Sequence, residues 1–155
     1  MSCPPRTVTL VFTILGVIAG VGTILKSLVA FFQPIPVVLT LIQLVAGILT
    51  FGLAYFGYNA ITNDRADRVK LYAQIHRILN IILVVIMIIG FLIFIGFLIS
   101  AQAKDIGIII VVIIFYIAFC GIHVALNLWH IRSAFATAEL ISQKQTSPVY
   151  SNLHV

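Results

Sequence analysis

Charged side chains are scarce in this sequence. Lys, Arg, Asp and Glu make up 8% of its 155 residues, against about 25% in an ordinary soluble domain. So few charges cannot cover the surface of a soluble protein, and 62% of the residues are hydrophobic. The composition excludes a soluble enzyme, a DNA-binding domain and a disordered chain. It predicts an integral membrane protein with no nucleic-acid partner.

Cysteine is also scarce. Cys3 and Cys120 are the two cysteines of the chain, and Cys120 lies inside an apolar segment, so a disulfide framework is excluded. The chain has no clustered His, Cys, Asp or Glu with metal-ligand spacing. We therefore predict no metal, no cofactor and no catalytic residues, and the protein is not expected to be an enzyme.

What the sequence has instead is long apolar runs. Four of them reach the roughly 20 residues that a helix needs to cross the hydrocarbon of a bilayer. In a strand of a membrane barrel, apolar and polar residues alternate over about 10 residues, whereas these runs are continuously apolar. The sequence predicts an all-α integral membrane four-helix bundle with spans at about 7–32, 36–59, 78–100 and 106–129.

The connections between the spans predict the topology. Prolines interrupt the chain between Gln33 and Pro36, because proline lacks an N–H and restrains the residue before it. Residues 101–105 form a second short link, and short links join antiparallel neighbours. We expect an up-down-up-down bundle over residues 1–142, followed by a flexible tail over 143–155.

The distribution of Lys and Arg predicts the orientation. Cytoplasmic segments carry an excess of these residues. If both termini lie in the cytoplasm, most of the Lys and Arg residues lie on the cytoplasmic side, so we predict this orientation. Seven of the nine then lie inside and two outside. The inner set is Arg6, Arg65, Arg68, Lys70, Arg77, Arg132 and Lys144, and the outer set is Lys26 and Lys104.

Small residues predict where the helices pack closely. Small side chains let backbones approach each other, which compensates for the missing hydrophobic drive in lipid. The first span carries a G-x-x-x-G pattern, and similar spacings recur in the second and fourth spans. The predicted packing residues are Gly16, Gly20, Ala46, Thr50, Ala54, Gly121 and Ala125.

A few polar residues lie within the spans, namely Gln43, Asn80, His123 and Asn127. His123 and Asn127 are four residues apart and therefore share a helix face. One interpretation is that these groups hold helices together through hydrogen bonds. The other is that they form a pH-sensitive or ligand-binding pocket.

The segment from Asn63 to Arg77 is polar and basic. Asn63 or Asp64 is expected to cap a helix, with Asp64 and Arg68 spaced for an i, i+4 ion pair. Four basic side chains are predicted to contact lipid phosphates, or alternatively to dock a partner. They are Arg65, Arg68, Lys70 and Arg77.

The C-terminal tail carries two short motifs. Tyr150 to Leu153 fits the tyrosine pattern that clathrin adaptors bind. The last residues, ending at Val155, fit a PDZ ligand that adds a strand to a sheet edge. If either is used, the host cell is eukaryotic, and the protein lies in the plasma membrane or in endomembrane vesicles.

The predicted architecture is similar in topology to MARVEL-type and other small eukaryotic tetraspan proteins, and this similarity transfers no residue roles. Our leading hypothesis is a non-enzymatic accessory subunit or scaffold of a larger membrane complex. It would bind through its transmembrane helices, with the tail as a second attachment point. The alternative is a homo-oligomeric channel or transporter with a polar pathway at Gln43, His123 and Asn127.

Overall fold

The structure, a computed structural model, describes residues 4–33, 36–100 and 106–146. Within these ranges it is all-helical. The helices are α1 (Pro5–Ala30), α2 (Val37–Thr62), α3 (Ala66–Ser100) and α4 (Ile106–Thr146). All four are long and apolar enough to cross a membrane. The prediction of an all-α chain with four candidate spans is confirmed. Four such helices are typical of a multi-pass membrane protein.

Prolines mark the start of the first two helices. α1 begins at Pro5, directly after the extended residue Pro4, because the fixed φ of proline suits the first helical position and its missing N–H needs no partner there. α2 begins after Pro36. The helix break predicted between Gln33 and Pro36 therefore falls between Ala30 and Val37.

The turn between α2 and α3 differs from the prediction for this segment. Asn63 or Asp64 was expected to cap the start of a helix, but Asn63 instead follows the end of α2, where its side-chain amide donates to the carbonyl of Asn59 at 2.8 Å. Asp64 has a φ of 50°, a left-handed conformation that Asp and Asn tolerate better than most residues. The chain reverses here, and α3 then runs without interruption into its apolar part.

α3 and α4 are longer than a bilayer requires. With 35 and 41 residues, they measure about 50 and 60 Å at about 1.5 Å per residue. Their uncharged stretches begin at Ile78 in α3 and end at Trp129 in α4. We treat the parts before Ile78 and after Trp129 as lying outside the membrane-spanning segments.

The chain divides into two compact units. The first comprises Met1–Ala73 and Arg132–Val155, and the second comprises Gln74–Ile131. In the first unit, α1 and α2 contact each other in opposite order along the chain, so that Gly16 lies against Ala54 and Gly47 lies against Ile24. Thr9 and Thr137 are buried and their hydroxyls lie 3.2 Å apart, which connects α1 to the end of α4.

The core of the first unit lies where α2 ends and α3 begins. Ile61, Val69 and Tyr72 are fully buried there, and residues of α4 at helical spacing complete two clusters. The α4 residues are Ala134, Ala138 and Ile141. α4 continues to Thr146, four residues into the predicted flexible tail, and those four residues are polar and exposed.

In the second unit, α3 and α4 also contact each other in opposite order. The Tyr116 hydroxyl donates to the carbonyl of Met87 at 2.7 Å. The rings of Phe91 and Tyr116 stack with centroids 5.0 Å apart. Nearer the other end of the unit, the rings of His76 and His130 lie edge to face at 4.9 Å. These contacts set the register between the two helices.

Candidate functional site

The G-x-x-x-G pair of α1 lies at the closest approach of α1 and α2. A Cβ added at Gly20 would lie 2.6 Å from the backbone nitrogen of Phe51, and one at Gly16 would lie 2.9 Å from the Cβ of Ala54. Ala54 is itself buried. Any larger side chain at Gly20 would push the backbones of α1 and α2 apart. These three small residues therefore lie inside the chain's own helix contact.

The other small residues assigned to packing face outward in the structure. Ala46 and Thr50 of α2 are exposed, and the Thr50 hydroxyl donates back to the carbonyl of Ala46 at 2.8 Å. Gly121 and Ala125 of α4 are also exposed. A Cβ at Gly121 would meet nothing within 4 Å among the residues that the structure describes. That surface is open to another molecule.

Two glycines at close contacts were not identified from the sequence. A Cβ at Gly47 would lie 3.0 Å from Ile24, and one at Gly57 would lie 2.5 Å from the ring of Tyr72. Neither belongs to a G-x-x-x-G pair, so the motif did not indicate them. The available signal was their position among bulky residues in a span, since a mid-helix glycine is unfavourable without a packing reason.

The intramembrane polar residues are only partly brought together. The Asn127 amide nitrogen lies 3.0 Å from Nε2 of His123 and donates to the His123 carbonyl at 2.9 Å. Asn80 is 9% exposed, and its Oδ1 is buried without a hydrogen-bond partner in the part of the chain that the structure describes. Gln43 is exposed on α2 and belongs to the first unit, whereas the other three belong to the second.

Asp64 joins three distant parts of the first unit. The Arg6 guanidinium lies 2.9 Å from Asp64 Oδ1 as an ion pair and donates to the carbonyl of Ile61 at 3.0 Å. Lys144 lies 3.6 Å from Asp64 Oδ2. Gln145 donates to the Asp64 carbonyl at 2.7 Å. We call these residues the Asp64 cluster.

The Asp64 cluster replaces the local pair that the sequence suggested. Asp64 and Arg68 are spaced for an i, i+4 pair, but Asp64 precedes α3 and its carboxylate turns to Arg6 and Lys144 instead. Two cations surround one carboxylate, so the cluster keeps a net positive charge. Sequence reasoning missed it because the partners are separated by most of the chain.

The histidine pair, His76 and His130, lies just outside the spanning segments. Burial lowers the pKa of His76 to about 4. Burial also lowers the pKa of His130 to about 4, with the charge of His76 as a smaller contribution. Both rings are therefore neutral at pH 7. The described residues contain no group of three or more His, Cys, Asp or Glu side chains suited to a metal ion.

The basic residues assigned to lipid or partner docking remain available at the surface. Arg65, Arg68, Lys70 and Arg77 are all exposed. Val69 and Tyr72 are buried between them, so this stretch of α3 has one packed face and one charged face. The predicted tail motifs at Tyr150, Leu153 and Val155 lie outside the described residues.

Known proteins do not assign this arrangement of helices and side chains to a family or a function. Comparisons with protein-family models, with curated proteins and with solved structures find no match.

Proposed function

We propose that this chain is a non-enzymatic accessory subunit or scaffold that binds a larger membrane protein through its transmembrane helices. The observation that carries the proposal is an imbalance between its helix pairs. In the most apolar stretch of α1, 22% of the residues are buried, whereas the share is 6% in α3 and 0% in α4. In those stretches few residues of α3 and none of α4 are fully buried, so most of their apolar residues are exposed or only partly covered.

The partner surface that we propose centres on Gly121 and Ala125. Small residues permit close backbone approach between helices in lipid, and in α1 the equivalent pair is already occupied by α2. In α4, a Cβ at Gly121 would meet nothing within 4 Å among the described residues, and Ala125 is exposed. A helix of a partner protein could therefore approach α4 here as closely as α2 approaches α1.

An up-down-up-down arrangement with both termini in the cytoplasm is part of this proposal. The contacts of α1 with α2 and of α3 with α4 run in opposite order, which supports antiparallel neighbours. The Asp64 cluster joins the start of α1, the turn before α3 and the end of α4. These three parts belong on one side of a membrane, and the excess of Lys and Arg makes that side the cytoplasmic one.

On the cytoplasmic side we propose two further attachments. Arg65, Arg68, Lys70 and Arg77 would contact anionic lipid phosphates, each contributing about 1 kcal/mol near the surface. The tail would bind a cytosolic adaptor or PDZ protein, which implies a eukaryotic plasma membrane or endomembrane vesicle. Deleting residues 153–155 tests the tail, since recovery of such a protein should be lost while the membrane partner stays bound.

The decisive experiment is purification of the tagged protein from its native membrane in mild detergent, followed by measurement of particle mass and composition. We expect a larger membrane protein in fixed stoichiometry. A particle containing several copies of this chain alone would favour the channel hypothesis instead. Conductance of Gln43→Leu and His123→Leu variants would then be measured.

A pair of variants locates the contact. Gly121→Ile should reduce recovery of the partner, because it adds a branched side chain to the proposed interface. Gly52→Ile is the matched control, since Gly52 is also an open glycine in a spanning helix but lies on α2. Equal recovery with both variants would contradict an interface at Gly121.

A further inference from the structure

An open groove with a volume of about 190 Å³ lies between α3 and α4 in the second unit. We call it the α3–α4 groove. Its lining residues include Val84, Ile88 and Phe91 of α3 and Tyr116, Cys120 and Val124 of α4. The hydroxyl of Tyr116 already donates to the carbonyl of Met87 at 2.7 Å, so it needs no partner from a ligand. The groove is therefore suited to a ligand segment that is entirely apolar.

The volume of the groove limits the width of its occupant. An α-helix with its side chains is about 10–12 Å in diameter, which is too wide for a cavity of about 190 Å³. An apolar cavity of about 150 Å³ holds one benzene ring. The groove therefore accepts a single hydrocarbon chain and not the helix of a partner. Gly121 and Ala125, where we place the partner helix, are not among the lining residues.

Arg77 lies on the side of α3 that lines the groove. Because each residue turns by about 100° around a helix, Arg77 lies within about 40° of Val84, Ile88 and Phe91. Ile81 falls on the same side and is exposed, so it continues the apolar surface from Arg77 to the groove. Val84 follows Arg77 by seven residues, which is about 10 Å along the helix axis. A cation and an apolar groove thus follow each other along one side of α3.

Arg77 has no carboxylate partner within its unit. It is exposed and forms no ion pair among the described residues. Between Gln74 and Ile131 the sequence has one acidic residue, Asp105, which follows the span of α3 whereas Arg77 precedes it. Helical side chains lean towards the N-terminus of their helix, so the guanidinium leans away from the groove and towards the lipid headgroups. A guanidinium binds phosphate through two parallel hydrogen bonds.

We propose that the second unit binds one anionic phospholipid, with an acyl chain in the α3–α4 groove and the phosphate on Arg77. Arg77 is the one Lys or Arg that the structure describes in this unit, and no neighbouring carboxylate balances its charge. The choline of phosphatidylcholine would bring a second positive charge to the same place, so an anionic headgroup is preferred. This inference rests on the lipid contact proposed above for Arg77 and adds a defined site for one chain.

The test uses the full chain in phosphatidylcholine vesicles that contain a phosphatidylserine analogue with a photoreactive diazirine on one acyl chain. We expect saturable labelling that maps to the groove residues of α3 and α4. A phosphatidylcholine analogue with the same chain should label them about fivefold less, the effect of one basic residue near an anionic headgroup. Non-saturable labelling, or equal labelling by the two analogues, would overturn the proposal.

Neighbouring valines provide a matched pair of variants for the groove. Val84 lines it, whereas Val85 is exposed and is not among the lining residues. Val84→Phe should weaken labelling about tenfold or more, because a change of one methylene group in an apolar pocket already has an effect of this size. Val85→Phe should leave labelling unchanged. Equal labelling of the two valine variants would overturn the groove as the chain site, while the contact proposed between Arg77 and phosphate would stand.

Two arginines provide the matched pair for the headgroup. Arg77→Gln should make labelling by the two analogues equal. Arg132→Gln should keep the fivefold preference, since Arg132 is also exposed but belongs to the first unit. A preference that survives Arg77→Gln would overturn the assignment of the phosphate to Arg77. Recovery of the partner protein is a separate measurement, so saturable labelling of a chain that recovers no partner would support the lipid site and count against the accessory role alone.

Discussion

Gly20 offers the sharpest test of the packing in the first unit. The Cβ introduced by Gly20→Ala would lie 2.6 to 2.8 Å from three atoms of Phe51, two of them backbone. Backbone atoms cannot rotate aside, so α1 and α2 must separate over part of their contact. Overpacking of this kind typically costs about 1–3 kcal/mol.

Gly22→Ala is the matched control for this prediction. It lies half a turn away on the same helix, and a Cβ there would meet nothing within 4 Å among the described residues. Both substitutions gain the same helix propensity, at most about 1 kcal/mol. The difference between the two variants therefore isolates the steric term, and we expect Gly20→Ala to be less stable than Gly22→Ala by about 1–3 kcal/mol.

The assay is SDS titration of each variant in mixed micelles, followed by near-ultraviolet circular dichroism. Near-ultraviolet circular dichroism follows the loss of tertiary packing around all the aromatic side chains, among them Phe51 and Tyr55, which stack with centroids 6.1 Å apart beside the contact. We expect the midpoint of Gly20→Ala to fall below that of the wild type and Gly22→Ala to match or exceed it. Coincident midpoints for the two variants would refute the close approach of α1 and α2 at Gly20.

Two further predictions concern charges outside the spans. Asp64→Asn keeps a residue that tolerates positive φ but removes the ion pairs to Arg6 and Lys144. The free energy of unfolding should therefore fall by about 1 kcal/mol, and by less at high salt. Asp67→Asn, which lacks those partners, is the control in the same titration. For His76 and His130, lowered pKa values of about 4 mean that the unfolded chain takes up protons first. The free energy of unfolding should therefore fall as pH drops from about 6.5 towards 4, by at most about 1.4 kcal/mol per pH unit per histidine. Replacing both histidines with Phe should flatten this dependence of stability on pH. If the dependence is unchanged in that variant, the two rings are not buried in the neutral form.

The sequence predicted the helices well because apolar length alone decides them. A span needs roughly 20 apolar residues, and no soluble alternative competes for such segments. The helix ends were less predictable. α4 continues past Trp129 because Ala134, Ala138 and Ile141 pack in the core of the first unit, and it ends at Thr146, four residues beyond the predicted bundle.

The candidate sites depended on tertiary contacts that local patterns do not encode. The G-x-x-x-G motif indicated close packing but could not identify the partner, which is α2 for Gly16 and Gly20. The i, i+4 spacing at Asp64 suggested Arg68, yet the left-handed turn at Asp64 directs its carboxylate to Arg6 and Lys144. A long-range ion pair can be read from a sequence only when the turn geometry is known.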